Sequence, residues 1–370
     1  MAVTVNPGIR TGFENSGNGS PKGNGLPMDS SYHVISVAEE IHWIQPPSSR
    51  WPESANVFAV EDEGGISLLD VGCGGPSPVE RLVEALRTLG WPGRPVRSIV
   101  LSHAHPDHAG GLESLRSLLQ PERIFLHEAD VPYGRDPGRL NESFDIPLCK
   151  ERMEPVDRAA EHERSGDGNA DRKGPAFDLL PYFEALGCAM CRVEPTDILH
   201  EGDEIRTGTL RWIVIHTSGH APGHISLYEP SRRCLFAGDL LGHPPAWYTP
   251  SSGGVRGYLS ALEKMERLPL DLVLPSHGGV RKDAADLVEE TREAILHRNR
   301  AILRQLEAGP RTFTELNESL FPSSSARFFP GTPMLETHLD LLVEEGKVQI
   351  GEDGKRYVLN AVYRRADKAP

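Results

Sequence analysis

From Tyr32 onward, short apolar runs alternate with glycine- and proline-containing breaks. Asn56-Val57-Phe58-Ala59-Val60 and Ile66-Ser67-Leu68-Leu69-Asp70 predict two strands joined by a turn at Glu63-Gly64-Gly65. Apolar residues at helical spacing over 79–89 predict an amphipathic helix. Four further runs, Ser98-Ile99-Val100-Leu101, Trp212-Ile213-Val214-Ile215, Cys234-Leu235-Phe236-Ala237 and Leu272-Val273-Leu274, read as short buried strands. Strands first, then strands separated by helices, suit a layered α/β domain.

The ends of the chain have a different texture. Residues 1–31 are rich in Gly, Asn, Ser and Pro without periodicity, the composition of a disordered segment. A main folded domain is expected over 32–285, with an insertion near 130–190. Within that insertion 150–174 is very polar, whereas 178–186 has the pattern of a short helix. A lid beside the active site and a solvated loop are both compatible with it. The tail, 286–370, reads as a small helical domain. A long helical pattern covers 283–306, and Thr312 with Glu315 three residues on has the form of a capping box. A helix follows over 334–345, and then a hairpin of Val348-Gln349-Ile350 and Tyr357-Val358-Leu359 around Gly354. Helix, helix, hairpin is a winged-helix-like order. Acidic residues are at least as prominent as basic ones there, which points to packing or homodimer formation rather than DNA.

Composition narrows the function. With 38% hydrophobic and 25% charged residues over 370 positions, this is a globular chain with room for two domains. A formal net charge of -14 argues against a general nucleic-acid binder, although a local basic patch is compatible with it. No apolar stretch approaches the ~20 residues needed to cross a bilayer, and no secretory pattern opens the chain. Five cysteines, an odd number, suggest a reducing compartment such as the cytoplasm rather than a disulfide framework. Cys188-Ala189-Met190-Cys191 is a lone CxxC with no second pair, so packed cysteines are the expected reading.

The chemistry lies at the ends of the four buried strands. They lead to His103-Ala104-His105-Pro106-Asp107-His108, Thr217-Ser218-Gly219-His220, Gly238-Asp239 and Ser276-His277. These pieces carry seven nitrogen or oxygen donors, enough for two metal ions sharing one carboxylate. A lone histidine such as His127 or His162 is more often a surface or core residue. His224, just past a ligand-type position, is a candidate to support one.

The set resembles the metallo-β-lactamase superfamily, and the tail extends the likeness toward its lactamase-beta-2-like branch. The resemblance implies an αββα four-layer sandwich followed by the winged-helix-like domain. It places one metal on His103, His105 and His220 and a second on Asp107, His108 and His277, with Asp239 bridging. Two zinc ions are the first expectation from all-N/O donors, with iron or manganese compatible. A metal-bridging hydroxide would then hydrolyse a thioester or ester, with Asp107 as the catalytic residue that orients it or relays its proton. Asn56 and Asp70 resemble supporting positions near the site. The bridging aspartate disfavours penicillin hydrolysis, and the short interval 240–276 leaves no room for the second domain of one nuclease branch. A small-molecule acyl substrate is expected, helped by apolar Pro244, Pro245, Ala246, Trp247 and Tyr248. A single-strand endoribonuclease, a lactonase, or a ligand sensor that binds DNA or a partner are the alternatives. Arg327, Phe328 and Phe329 in the tail are candidates to reach the active site of the same or a partner subunit.

Overall fold

The computed structural model describes residues 31–48, 54–152, 177–242 and 245–360. The segment expected to be disordered therefore lies outside the described residues except for Ser31, as do Pro244 and most of the polar stretch at 150–174 with His162.

A seven-stranded sheet runs in the order β1 (His33–Ala38), β2 (Ile41–Gln45), β3 (Val57–Asp62), β4 (Gly65–Leu69), β5 (Val96–Val100), β6 (Arg123–His127) and β7 (Asp197–Leu199). The first four strands pair antiparallel, and β4 to β7 pair parallel. A five-stranded sheet follows, with β8 (Glu204–Thr207), β9 (Leu210–His216), β10 (Ile225–Glu229), β11 (Cys234–Gly238) and β12 (Leu272–Pro275) lying in the spatial order β12-β11-β10-β9-β8.

Alternation of side chains along each strand builds the layers. Phe58, Val60 and Val100 of the first sheet meet Trp212, Val214, Leu227 and Phe236 of the second in one buried core. The opposite face of the first sheet, through Val57, Ala59 and Leu68, packs on the helices Pro76–Thr88 and Leu112–Leu119. The outer face of the second sheet, through Ile215, Leu235 and Val273, packs on Gly254–Glu266 and on the first half of Ala284–Glu307. Helix, sheet, sheet, helix is the expected four-layer arrangement. The predicted strands and helices are present with ends shifted by a few residues: the helix expected over 79–89 begins at Pro76, where proline suits the first turn.

Beyond the second sheet, helices Phe313–Leu320 and Thr332–Glu344 pack with the end of Ala284–Glu307 around Ile302, Leu306, Leu316, Leu335 and Leu339. Thr312 and Glu315 form the capping box. A short strand, β13 (Arg311–Thr312), adds to the hairpin of β14 (Val348–Ile350) and β15 (Arg356–Leu359) by pairing with β15.

The cysteines depart from expectation. Cys73 and Cys188, 115 residues apart, form a disulfide, so the CxxC is half engaged and the chain is not purely thiol-bearing. The physical reason is a backbone approach: Gly74 bridges Ala189, which brings the two flanking sulfurs together. A Cβ on Gly74 would overlap the Ala189 carbonyl, so only glycine permits the approach. Cys149, Cys191 and Cys234 remain free thiols.

Candidate metal centre

The seven donors come from the C-terminal ends of β5, β9, β11 and β12 and meet at one edge of the sandwich. Three triads form, each with its donor atoms within 4.8 Å of one another: His103, His105 and His220; His103, His108 and Asp239; and Asp107, His108 and His277. His103 Nε2 lies 2.9 Å from His105 Nδ1, which lies 3.1 Å from His220 Nε2. All except His277 are buried; the His277 side chain is 22% exposed and marks the open side.

Neighbouring groups decide which ring nitrogens face inward. Ser102 Oγ donates to Asp70 at 2.8 Å and so accepts from His103 Nδ1 at 2.9 Å, leaving the Nε2 lone pair aimed at the cluster. His220 Nδ1 donates to the Trp247 carbonyl at 2.8 Å, and its Nε2 likewise points inward. Asp70 also accepts from the Ser102 backbone at 2.7 Å and bonds His108 Nδ1 at 2.8 Å. Asp70 holds a left-handed backbone with φ of 58°, kept in place by the bonds of its carboxylate to Ser102, His108 and Ser276.

The charge pattern fits a cation. Burial, reinforced by the neighbouring histidines, holds His103 and His105 well below the ordinary histidine range; burial also lowers His220. Such lowering favours the neutral imidazole, the form that can ligate a metal. On the other side burial opposes charge on His108, but Asp239, Asp107 and Asp70 overcome it and hold the ring well above its usual range. Asp239, despite burial, is held well below the carboxylate range by His277 and His108. Both Asp107 oxygens, His108 Nε2 and Asp239 Oδ1 are buried and find no hydrogen-bond partner among the described residues. Buried polar atoms are rarely left so, and a divalent cation is the partner that satisfies donors of this kind together.

Asp239 spans the cluster. Its Oδ2 lies 3.2 Å from His220 Nε2, while Oδ1 lies 3.4 Å from His108 Nε2 and 3.5 Å from His277 Nε2. His224, a candidate support in the sequence, sits directly beneath it: its Nδ1 bonds Thr217 Oγ1 at 2.8 Å, and its Nε2 accepts the Asp239 backbone N–H at 2.8 Å. Gly238 has φ of 57°, and a Cβ there would strike the His224 ring, which explains glycine before this aspartate. Asn56 donates to Pro275 and Gly278 carbonyls at 2.9 and 2.8 Å, bracketing His277.

Asp130 was not singled out by sequence. It lies just past the end of β6, buried, where Oδ2 accepts from Ala104 N at 2.7 Å and Oδ1 accepts from Gly223 N at 2.6 Å. It thereby ties the His103–His105 loop to the turn after His220. Burial pushes its carboxyl up to about 6, against the two N–H donors. The only sequence signal was a carboxylate at a strand end, the same position type as the ligands.

Aromatic side chains wall one side of the cluster. Phe144 lies 4.3 Å from His105 between ring centroids, and Trp247 4.9 Å from His220. Phe329, from the tail, lies 5.4 Å from Phe144 and 5.5 Å from Trp247, so the tail reaches the site within the same chain. Phe328 and Phe177 extend the row toward Tyr182 at the surface.

A helix–sheet–sheet–helix sandwich with histidine and aspartate donors along one edge defines a class of metal-dependent hydrolases. Residues 50–277 match the Metallo-beta-lactamase superfamily, and the chain belongs to it. It is similar to the probable metallo-hydrolase YqjP of Bacillus subtilis, 25% identical over 346 residues that cover 90% of this chain and 99% of that one. It is also similar to the human acyl-coenzyme A thioesterase MBLAC2, 26% identical over 260 residues, 66% of this chain and 81% of that one. A metallo-beta-lactamase family protein of Thermus thermophilus shares the fold, with a TM-score of 0.67 at 24% identity over 88% of this chain and 100% of that one. Among the described residues no helix is long and apolar enough to cross a membrane.

Proposed function

We propose that the protein hydrolyses acyl thioesters, or related esters, of small metabolites at a two-metal site. His103, His105 and His220 would hold one divalent cation, zinc being favoured by the donor set, and Asp107, His108 and His277 the second. The observation that carries the two-metal reading is Asp239, with one oxygen toward His220 and the other toward His108 and His277. Bound there, the cations would supply Lewis acidity and activate water near neutral pH.

The chain's own residues do the rest. Asp107 Oδ2, 3.3 Å from His277 and 3.6 Å from His108, orients the water and takes its proton. Asp70 and His224 hold His108 and Asp239 in place, so no side chain reorganises as charge develops. Phe144, Trp247 and Phe329 form an apolar wall beside His105 and His220 that suits an acyl chain and limits water. The thioesterase name of the MBLAC2 relative supports the same substrate class.

The test is thiol release from a panel of acyl-CoA thioesters by metal-replete protein, with Asp239→Ala as control. Release that disappears in the variant supports the reading. No release on any chain length would overturn it and direct the same site to lactones and single-stranded RNA.

A further inference from the structure

The metal-ligating residues all precede position 278, yet a buried polar chain connects them to the C-terminal helices. Trp247 and Thr249 grip the His220 turn from both sides: the Trp247 carbonyl accepts from His220 Nδ1 at 2.8 Å, and Thr249 N donates to the Gly219 carbonyl at 3.1 Å. Tyr248, between them, is fully buried and points the other way. Its hydroxyl accepts from Arg298 at 2.7 Å and bonds His338 Nε2 at 2.5 Å. His338 Nδ1 bonds Asn299 Oδ1 at 2.6 Å.

The directions of these bonds are mutually consistent. Arg298 can only donate, so it gives an N–H to the Tyr248 oxygen, and the phenol proton goes to His338 Nε2. His338 then carries its proton on Nδ1 and donates to the Asn299 carbonyl oxygen. Arg298 and Asn299 belong to the helix Ala284–Glu307, and His338 to Thr332–Glu344.

The same brace touches the bridging aspartate. The Tyr248 ring meets Tyr258 edge-on at 5.6 Å, and Tyr258 Oη donates to the Asp239 and Leu240 carbonyls at 3.0 and 2.7 Å. Tyr258 also sits where a Cβ on Gly219 would approach its backbone to within 2.7 Å, so the His220 turn packs tightly on this helix. The pair of tyrosines therefore stands between the two ligand-bearing segments and the tail.

We propose that Tyr248, Arg298 and His338 are positioning residues of the metal centre, through which the C-terminal helices set the orientation of His220. Burying Tyr248, His338 and Asn299, with Arg298 half-buried beside them, costs desolvation that an apolar core would avoid, and a satisfied network offsets it by fixing one geometry. A phenylalanine at 248 keeps the packing but releases the loop from that geometry. The network touches neither substrate nor metal, and its effect passes through the Trp247 carbonyl.

The experiment is zinc titration of the full chain by calorimetry, together with visible spectra of the cobalt-loaded protein. Tyr248→Phe and His338→Leu are compared with Leu316→Ala, a core truncation in the tail whose side chain takes no part in the network's hydrogen bonds. Groups that support metal ligands typically alter affinity by about 10–100-fold when removed. The expected result is about tenfold weaker zinc binding at one of two sites and an altered cobalt spectrum in the first two variants. Leu316→Ala, although less stable, keeps wild-type affinity and spectrum. Unchanged affinity and spectrum in Tyr248→Phe would overturn the proposal, as would an equal loss in Leu316→Ala. The inference rests on the metal-centre reading, and its failure is separable: wild-type protein that takes up no zinc overturns both, whereas these variant results overturn only this one. Turnover of any particular substrate does not enter the measurement.

Discussion

Replacing Asp130 by asparagine changes one atom pair and little volume, so it isolates what the carboxylate does. Each of its oxygens accepts one backbone N–H, from Ala104 at 2.7 Å and Gly223 at 2.6 Å. An amide has only one oxygen, so its NH2 must face one of those donors. Leaving a buried N–H unsatisfied costs about 1–3 kcal/mol. Opposing this is the charge itself: burial raises the Asp130 carboxyl from 3.8 to about 6, which corresponds to about 3 kcal/mol against the ionised form. The sign follows from the direction. The folded state binds the proton more tightly than the unfolded chain, so the favourable contribution is complete below about 4 and is lost as pH rises through 6. Roughly 2 kcal/mol of it disappears between about pH 4.5 and 7.5.

The wild type is therefore expected to exceed Asp130→Asn in stability at pH 4.5, by about 1–3 kcal/mol from the orphaned N–H. Near pH 7.5 the difference should be smaller by roughly 2 kcal/mol. Urea unfolding of both proteins in the presence of chelator, at four pH values across this window, measures the difference while the other titrating groups cancel between the two proteins. A difference that stays flat with pH would refute the argument, because it would mean that Asp130 titrates alike in the folded and unfolded chain.

Phe329→Ala removes part of the wall beside the histidines; full burial of a phenylalanine is worth about 1.5–3 kcal/mol and Phe329 is half-buried, so kcat/KM for long acyl chains should fall by about 3- to 10-fold while short-chain turnover holds. Equal losses across chain lengths would count against the acyl wall. Adding zinc at about 100 times its Kd to chelator-stripped protein should raise stability by about 2.7 kcal/mol, visible as a higher Tm, and a Tm indifferent to zinc would remove the metal reading. Cys73→Ser opens a 115-residue loop, so urea unfolding should show a loss of about 2–4 kcal/mol that reductant reproduces in the wild type. No effect of reductant would show that the bond contributes nothing to stability.

What was legible in the chain was local. Apolar runs ending in polar residues put donors at strand ends, but His127 and His216 end such runs too and lie outside the cluster, so it is the motif resemblance that singles out His103, His105, Asp107, His108, His220, Asp239 and His277. The helices were legible for the same reason, since spacing at 3.6 residues and the Thr312–Glu315 cap are properties of neighbouring positions. What was missed depends on partners far apart in sequence. Asp130 matters because it joins backbone groups 26 and 93 residues away, and no pattern around position 130 announces that. Cysteine number and spacing predict no disulfide framework, and the Cys73–Cys188 bond depends instead on the close approach of Gly74 to Ala189. Tyr248 reads in sequence as a candidate acyl-pocket residue, whereas its hydroxyl bonds His338, 90 residues away and not marked by any motif. The candidate ligands sit in short motifs, but the groups that hydrogen-bond them come from distant parts of the fold. The precision of this site therefore depends on residues that a motif search passes over, and those are the positions where substitution should move metal affinity without touching a ligand.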